Sequence, residues 1–308
     1  MKSLDNRSKY LRSLIINTVL DKGGGHIGSA LSLVEILRVL YDDILNFKIR
    51  KKIFSNRDRL ILSKGHGCLA LYTILADKKF LKKSDLQKIG DHKFFLAGHP
   101  ERNLKHGIEA STGSLGHGLP IATGEALAIK MREQKRRVFC LISDGETNEG
   151  AVWEAALFAA AHKLDNLIVF LDYNKWQATG KSDEILNTTA HADKWRAFGW
   201  DVEMIDGHDC HQIVTSSYNN SNKPKLIVAD TVKGKGVSFM EDDNNWHYRV
   251  PNKEEVQIAV LNALSTGQKF EGVSFIMDIL NMKVLPKSFH VRVNATKIIA
   301  KLYNLKAI

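Results

Sequence analysis

The sequence has little of what membrane or secreted proteins need. Only three of its 308 residues are cysteine, five are proline, and no apolar run reaches the roughly 18 residues needed to cross a bilayer. Cys68, Cys140 and Cys210 have no metal-ligand spacing, so we expect reduced thiols in a cytoplasmic protein. A cleavable leader is not expected, because a Gly/His-rich motif begins at Gly23, soon after the basic N-terminus. These absences favour a globular protein that is neither secreted nor membrane-inserted.

Acidic residues are fewer than basic ones. The chain has 44 Lys and Arg against 34 Asp and Glu, a net charge of +10. Such basicity suits nucleic acids and phosphate-bearing small molecules alike. The positive charge is scattered in short runs, such as 48–52 and 78–83, and no zinc-finger, RRM or helix-turn-helix pattern accompanies it. We therefore expect anionic small-molecule ligands and no nucleic acid.

Short β-branched runs alternate with stretches of helical spacing. The predicted strands are Arg59–Leu62, Val138–Ser143, 167–172, 201–205 and 226–231. The predicted helices are 3–21, 31–45, 66–77, 117–133, 150–163 and 209–218. This alternation predicts an α/β fold, with a doubly wound, mainly parallel sheet and helices on both faces.

The composition shifts after about residue 255. We therefore predict a ligand-binding domain over residues 1–255 and a C-terminal helical tail over 256–308. In the tail, apolar residues recur at helical spacing over 275–280 and 298–305. The tail carries no chemical motif, and we expect it to pack on a surface without supplying a catalytic group.

Polar motifs follow the predicted strands, where ligands of doubly wound sheets bind. Asp144 stands at the end of one strand, and Asn174 follows the next strand thirty residues later. A carboxylate and an amide oxygen suit Mg2+ or Ca2+, and Gly145 lets the backbone approach a ligand closely. Taken singly, Asp144 could cap the helix at 150–163 and Asn174 could form a turn. The order strand, Asp-Gly, helix, strand, Asn is far more specific than either residue.

This segment resembles the thiamine-diphosphate signature, which usually opens Gly-Asp-Gly and closes with Asn. Ser143 replaces the first Gly here, and the ligand-bearing residues are intact. The stretch 172–180, DYNKWQATG, is similar to the version found in the transketolase family, especially in split transketolases. The resemblance extends over about 5–255 and includes, in family order, 25–28 (GHIG), 63–67 (SKGHG), 98–101 (GHPE), 111–118 (STGSLGHG) and 246–247 (WH).

The resemblance implies a transferase that moves a two-carbon ketol unit from a ketose phosphate to an aldose phosphate. Its cofactors would be thiamine diphosphate and Mg2+, with Ca2+ or Mn2+ as alternatives. The implied metal ligands are Asp144, Asn174 and the carbonyl of Trp176. The implied cofactor-binding residues are His66, Gly113, Ser114, Leu115, Gly116, Asp144, Gly145, Glu146, Asn174 and His247.

Four histidines are implied to be catalytic, because imidazole exchanges protons near neutral pH. By resemblance, His66 and His99 lie near the thiazolium and the donor hydroxyls, and His26 and His247 face the acceptor. Histidines without such a motif are interpreted as structural or surface residues. These are His92, His162, His191, His208 and His290, while His117, which stands where the family often has Gln, receives no role.

Two glutamates that follow Asp144 can be interpreted in two ways. Glu149 and Glu154 place favourable negative charge near the N-terminus of the helix predicted at 150–163. In the family, glutamates at these positions lie at the interface between two cofactor sites. The resemblance therefore adds self-association to the charge effect.

The resemblance also implies a missing half-site. In the family, a glutamate that hydrogen-bonds the aminopyrimidine ring, and the arginines that hold the sugar phosphate, lie on a second domain. Only some 50 residues follow residue 255 here. We therefore expect an N-terminal subunit that is inactive without a C-terminal subunit carrying the pyrimidine-binding domain, in a heterotetramer with two copies of each.

Three alternatives stay open. The first is half of a deoxyxylulose-phosphate-synthase-like enzyme. The second is another thiamine-diphosphate enzyme, such as the α subunit of a 2-oxoacid dehydrogenase, although that family lacks this set of histidines. The third is a non-catalytic, cofactor-binding pseudo-subunit, which the intact Asp144, Asn174 and histidines disfavour.

Overall fold

A computed structural model of the chain provides the structure. It describes residues 4–22, 25–47, 57–186, 190–218 and 221–247, together with 249, 251–252, 254–256 and 258–260. The predicted helical segments of the tail, 275–280 and 298–305, lie outside these described residues.

One parallel sheet of five strands forms the centre of the fold. The strands are β1 (Arg59–Leu62), β2 (Val138–Ser143), β3 (Leu167–Tyr173), β4 (Asp201–Asp206) and β5 (Lys225–Asp230). They lie in the order β1-β2-β3-β5-β4, and every neighbouring pair is parallel. Each predicted strand agrees with the observed one to within one residue at either end.

Nine α-helices surround the sheet among the described residues. They are α1 (Asn6–Lys22), α2 (Ile27–Leu31), α3 (Val34–Val39), α4 (Cys68–Asp77), α5 (Gly118–Met131), α6 (Gly150–Ala161), α7 (Ser182–Ile185), α8 (His191–Ala197) and α9 (Cys210–Ser216). No described helix has the length and apolarity needed to span a membrane.

The single helix predicted over 31–45 is broken in the structure. It divides into α2 and α3, and α3 continues into a wider π-helical turn at Leu40–Ile44. The break between α2 and α3 coincides with Ser32, whose buried hydroxyl donates a 2.7 Å hydrogen bond to Asp172 at the end of β3. Helical periodicity alone does not reveal such a tertiary hydrogen bond.

Both faces of the sheet are covered by apolar cores, as expected for a doubly wound fold. Alternate strand residues such as Phe139 and Phe170 pack with α1 to α4 on one face. Their neighbours Cys140 and Val169 pack with α5, α6 and α8 on the other. Successive side chains of a strand point to opposite faces of the sheet. Strands that are apolar almost throughout, such as β2 and β3, are therefore buried on both faces.

Candidate active site

The carboxyl ends of the strands meet at one edge of the sheet. Within it, Ser143 of β2 lies in register with Asp172 of β3, and Tyr173 of β3 with Asp230 of β5. The polar motifs that follow β1, β2, β3 and β5 therefore lie side by side. This shared edge is the candidate active site.

Asp144 begins the turn after β2 and is buried. Its Oδ1 accepts a 2.9 Å hydrogen bond from the Gly145 N–H, and its Oδ2 accepts a 2.8 Å bond from the Ser182 hydroxyl. Burial raises the pKa of Asp144 to about 6, although the bond from Ser182 opposes the shift. A divalent cation would compensate the buried charge, so this carboxylate fits a metal ligand.

Asn174 is buried directly after β3 and has a fixed orientation. Its Nδ2 donates to Asp172 at 3.2 Å, and its Oδ1 accepts from the Trp176 N–H at 3.0 Å. The amide oxygen of Asn174 therefore lies within hydrogen-bond distance of the Trp176 backbone. Ser182 donates its N–H to the Lys175 carbonyl at 3.0 Å and its hydroxyl to Asp144, which closes this loop against Asp144.

The three predicted metal ligands, Asp144, Asn174 and Trp176, are thereby linked through one loop. Among the described residues, no group of three or more His, Cys, Asp and Glu side chains suits a metal ion. A metal here would use carboxylate, amide and carbonyl oxygens, together with oxygens of a bound anion. Such a donor set is that of Mg2+ and not of a zinc site.

Asp172 is the most connected polar residue at this edge, and the sequence did not single it out. It is buried and accepts hydrogen bonds from Lys64, Ser32, Thr231 and Asn174. Lys64 is fully buried and forms an ion pair with it. Burial would raise the pKa of Asp172, but the charge and hydrogen bond of Lys64 lower it. Asp172 is therefore a carboxylate that ties together four chain segments.

The four histidines predicted to be catalytic converge from four separate loops. The ring centroid of His26 lies 5.5 Å from that of His66 and 5.5 Å from that of His247. His99 lies 6.0 Å from His26, and the rings of His66 and His247 are 6.1 Å apart. The structure thus brings together residues that the sequence separates by more than 200 positions.

Burial keeps three of these rings neutral near pH 7. It lowers the pKa of His26 to about 4 and that of His247 to about 3, and the charges of Lys233 and Lys64 act in the same direction. Burial, followed by the charge of Lys64, also lowers the pKa of His66 well below its usual value. Neutral imidazoles can both donate and accept hydrogen bonds, as proton exchange with hydroxyl groups requires.

Lys233, in the segment after β5, is a further site residue that the sequence did not reveal. Its buried Nζ lies 2.7 Å from Nδ1 of His247 and 3.0 Å from Oδ1 of Asn244. Burial lowers the pKa of Lys233 to about 8, and the charge of Lys64 adds to this effect. The signal in the sequence was a lysine three residues after a buried strand, beside Gly234 and Gly236.

The glycine loop at 111–118 packs against the third histidine motif. Gly113 has a φ of 145°, and a Cβ there would lie 2.9 Å from Cδ2 of His99, so only glycine fits. Ser114 is exposed and Leu115 is half-buried, while the Gly116 N–H donates to Glu146 Oε1 at 2.9 Å. The loop therefore lies beside the histidine cluster, where the resemblance places a cofactor.

Glu146, predicted to bind the cofactor, is occupied by protein partners. Its buried carboxylate accepts from the Ser63 hydroxyl at 2.6 Å, the Gly116 N–H at 2.9 Å and the Ser143 N–H at 3.0 Å. These three bonds fix the direction of the carboxylate. The carboxylate fastens the glycine loop to the ends of β1 and β2, and its contact with a cofactor stays a prediction.

The remaining histidines lie away from the cluster or support it. His92 and His162 are exposed, and His191 is buried with its ring 5.3 Å from that of Tyr173. His117 is exposed at the start of α5. His208 differs from a surface histidine, because its Nδ1 contacts a buried carboxylate, and His290 lies outside the described residues.

Comparison with known proteins gives concordant matches. Residues 5–271 match the family described as "Transketolase, thiamine diphosphate binding domain". The chain is 40% identical over 260 residues to an apulose-4-phosphate transketolase subunit from Actinobacillus succinogenes, covering 83% of this chain and 94% of that protein. It is also 40% identical over 241 residues to the 6-deoxy-6-sulfo-D-fructose transketolase subunit SqwG of a Clostridium species, covering 77% and 88%.

Solved structures show the same fold. Transketolase from Campylobacter jejuni matches with a TM-score of 0.77 and 28% identity, over 96% of this chain and 48% of that one. Transketolase from Leishmania mexicana matches in fold with a TM-score of 0.78, over 99% and 45%. The chain thus spans about half the length of these solved transketolases, whereas it covers most of the two bacterial relatives that are single subunits.

Proposed function

Because this chain belongs to the transketolase family, as the N-terminal subunit of a split enzyme, we propose that it works in the transfer of a two-carbon ketol unit from a ketose phosphate to an aldose phosphate. The observation that carries this proposal is the convergence of His26, His66, His99 and His247 at one edge of the sheet. The loop that carries Asn174 lies at the same edge.

The chain carries the family's thiamine diphosphate binding domain, and the cofactor, when bound, supplies the carbanion chemistry of the reaction. The protein's task is to hold and orient it. We propose that Asp144, Asn174 and the Trp176 carbonyl hold Mg2+, which in turn binds the diphosphate. Gly113 to Gly116 offer a close backbone surface beside the histidines.

The clustered histidines supply proton transfer in this proposal. His66 and His99 are placed on the side of the donor sugar, and His26 and His247 on that of the acceptor. Burial holds the pKa values of His26 and His247 far below neutrality, so both rings are neutral and each has a hydrogen-bonding nitrogen for a sugar hydroxyl. The names of the two bacterial relatives' substrates include a phosphate and a sulfo group, which is consistent with an anionic sugar as substrate.

Replacement of the metal ligands tests the cofactor site. Asp144→Ala and Asn174→Ala are each expected to weaken Mg2+-dependent binding of thiamine diphosphate more than about 100-fold, because loss of even an outer-shell partner of a metal costs 10- to 100-fold. Calorimetric titration of the complex with its partner chain measures the affinity. The control is Asp193→Ala, which removes an exposed carboxylate of α8. Undiminished binding in both ligand variants would refute the metal assignment.

The histidine roles have their own test, which separates turnover from cofactor binding. His26→Ala and His247→Ala are expected to lower the rate of ketol transfer by roughly 100- to 10,000-fold while changing cofactor affinity much less. Steady-state kinetics and titration of the same preparations give the two quantities. His92→Ala, at an exposed position, serves as the matched control. Loss of cofactor binding with an unchanged rate per site would show that the assignment of His26 and His247 to the acceptor sugar is wrong.

Self-association is proposed through the exposed face of α5 and α6. Leu157 and Phe158 on α6 are 61% and 42% exposed, and Ile121 on α5 is 40% exposed. Glu154 lies one turn before Leu157 on α6 and is also exposed. Large apolar side chains grouped on a surface mark a contact with another chain. We propose that two copies of this chain meet there, each with a partner subunit that carries the pyrimidine-binding domain.

The compartment proposed for this complex is the cytoplasm. All three cysteines are free thiols, and Cys68 and Cys140 are buried. Burial raises the pKa of Cys68 to about 12, so the thiol is unreactive. We also propose that the ligand-binding domain ends near residue 255 and that the tail after it packs on a surface.

A further inference from the structure

A buried polar network outside the histidine cluster joins α1, α3 and the turn after β4. Arg12 and Glu35 are both fully buried, with Nη1 2.5 Å from Oε1 and Nη2 2.8 Å from Oε2. Burial would raise the pKa of Glu35, but the charge and hydrogen bonds of Arg12 lower it below its usual range. Glu35 is therefore an anion with a fixed position.

His208 uses both ring nitrogens in this network. Its Nε2 accepts a 2.9 Å hydrogen bond from the backbone N–H of Val232, and its Nδ1 lies 2.8 Å from Oε2 of Glu35. Because a backbone N–H can only donate, Nε2 carries no proton. The ring proton is on Nδ1 and is donated to Glu35. His208 thus connects a buried carboxylate to the segment that follows β5.

That segment is held at three points. Val232 is bound to His208, and the Lys235 carbonyl accepts a 2.7 Å bond from Nε of Arg12. Between them, Gly234 donates its N–H at 2.9 Å to the Gly28 carbonyl, in the motif that carries His26. Gly234 has a φ of 78°, and a Cβ there would overlap the carbonyl oxygen of Met240. The backbone on both sides of Lys233 is therefore fixed.

The side chain of Lys233 connects this fixed backbone to His247. Its Nζ bonds to His247 and Asn244, and within the described part of the chain it forms no ion pair with a carboxylate. Asn244 donates its Nδ2 to the Ala178 carbonyl at 3.1 Å, so the Oδ1 that faces Nζ of Lys233 accepts from it, and Lys233 is a donor, as expected of an ammonium. An ammonium has donors and no acceptor. Nδ1 of His247 must then be the acceptor, which leaves the ring proton on Nε2.

We propose that His208, held by Glu35 and Arg12, is a positioning residue that fixes Lys233 and thereby sets His247 in its Nε2–H tautomer. His247 then presents a hydrogen-bond donor within the histidine cluster, 5.5 Å from the ring of His26. The value of that donor in ketol transfer rests on the proposed function. The tautomer itself does not, because it follows from hydrogen bonds within the chain.

Nuclear magnetic resonance of the full chain with nitrogen-15-labelled histidine tests the proposal. The His247 signals are identified by their loss in His247→Gln. We expect a single Nε2–H tautomer for His247 at neutral pH in the unaltered chain, and a mixture of both tautomers in His208→Ala and in Lys233→Met. His208→Gln, whose amide retains a donor and an acceptor, is expected to restore much of the single-tautomer signal. The exposed His162→Ala is the matched control.

The outcomes are separable. An unchanged His247 tautomer in folded His208→Ala, or in Lys233→Met, would overturn the proposal. If His208→Ala does not fold, His208→Gln and Lys233→Met decide it, because Lys233→Met leaves the buried network intact. The spectra are recorded without cofactor or substrate, so a negative result leaves the ketol-transfer proposal standing. Absence of turnover in the complex would, conversely, leave the tautomer result valid.

Discussion

Produced without a partner chain, this protein is expected to show no ketol transfer and to bind thiamine diphosphate weakly. The chain supplies the Asp144 and Asn174 loop, the glycine loop and the histidine cluster, all on one edge of one sheet. The family resemblance places the other half of the cofactor on a second domain. Loss of those contacts costs several kcal/mol, and each 1.4 kcal/mol is a factor of about ten in affinity.

The measurement compares the chain alone with the chain co-produced with a candidate C-terminal subunit. Ketol transfer between sugar phosphates is assayed in both preparations, and mass in solution is measured for each. The complex is expected to contain two copies of each chain. Leu157→Asp, at the exposed face of α6, is a useful companion variant, because it should lower the mass without altering the fold. Robust activity of the chain alone would overturn the split-enzyme proposal.

Removal of the Asp172 carboxylate is expected to have the largest effect on stability. Asp172→Ala would leave the ammonium of Lys64, which is fully buried, without its ion-pair partner. Breaking a buried pair from one side typically costs about 3–5 kcal/mol. That is a large share of the roughly 5–15 kcal/mol by which a domain is stable. The loss of the bonds to Ser32 and Asn174 adds to this cost.

Urea unfolding of the chain, followed by tryptophan fluorescence, measures the effect. The double variant Lys64→Met/Asp172→Asn is expected to recover part of the loss, since no unpaired charge is then buried. Asp165→Ala removes an exposed partner of Lys130 and should cost at most about 1 kcal/mol. A cost for Asp172→Ala no larger than that of Asp165→Ala would show that Lys64 finds another partner.

Much of the fold could be predicted because the strands are buried on both faces. Runs such as Val138–Ser143 are apolar almost throughout, and their bounds follow from the polar residue that ends each one. The histidine cluster could be predicted for a related reason. His26, His66 and His99 lie in glycine-containing motifs, and strand ends of a parallel sheet meet at one edge. The family resemblance adds His247.

The polar contacts behind the site could not be predicted, because they join distant parts of the chain. Ser32 meets Asp172 across 140 positions, and Arg12 meets the Lys235 carbonyl across 223. Nothing in the neighbourhood of either residue indicates its partner. For the same reason His208 looked like an ordinary surface histidine, although it bonds to buried Glu35.

Glu146 illustrates a different limit. Its place two residues after Asp144 predicts a cofactor-binding residue, and the sequence does not show that its carboxylate is also bonded to Ser63, Gly116 and Ser143. A motif gives the position of a residue along the chain. It does not give the direction of the side chain, which depends here on three groups from three different segments.

The parallel order of the strands also governs when the site can exist during synthesis. β1 ends at Leu62 and pairs with β2, which begins at Val138, so the 75 residues from 63 to 137 must emerge from the ribosome between them. β5 and the Lys233 segment come later still. A nascent chain therefore holds β1 and the second histidine motif without their neighbours for much of translation, when unpaired strand edges are prone to aggregation. A partner chain can therefore recognise the complete site only after β5 and the Lys233 segment have been made.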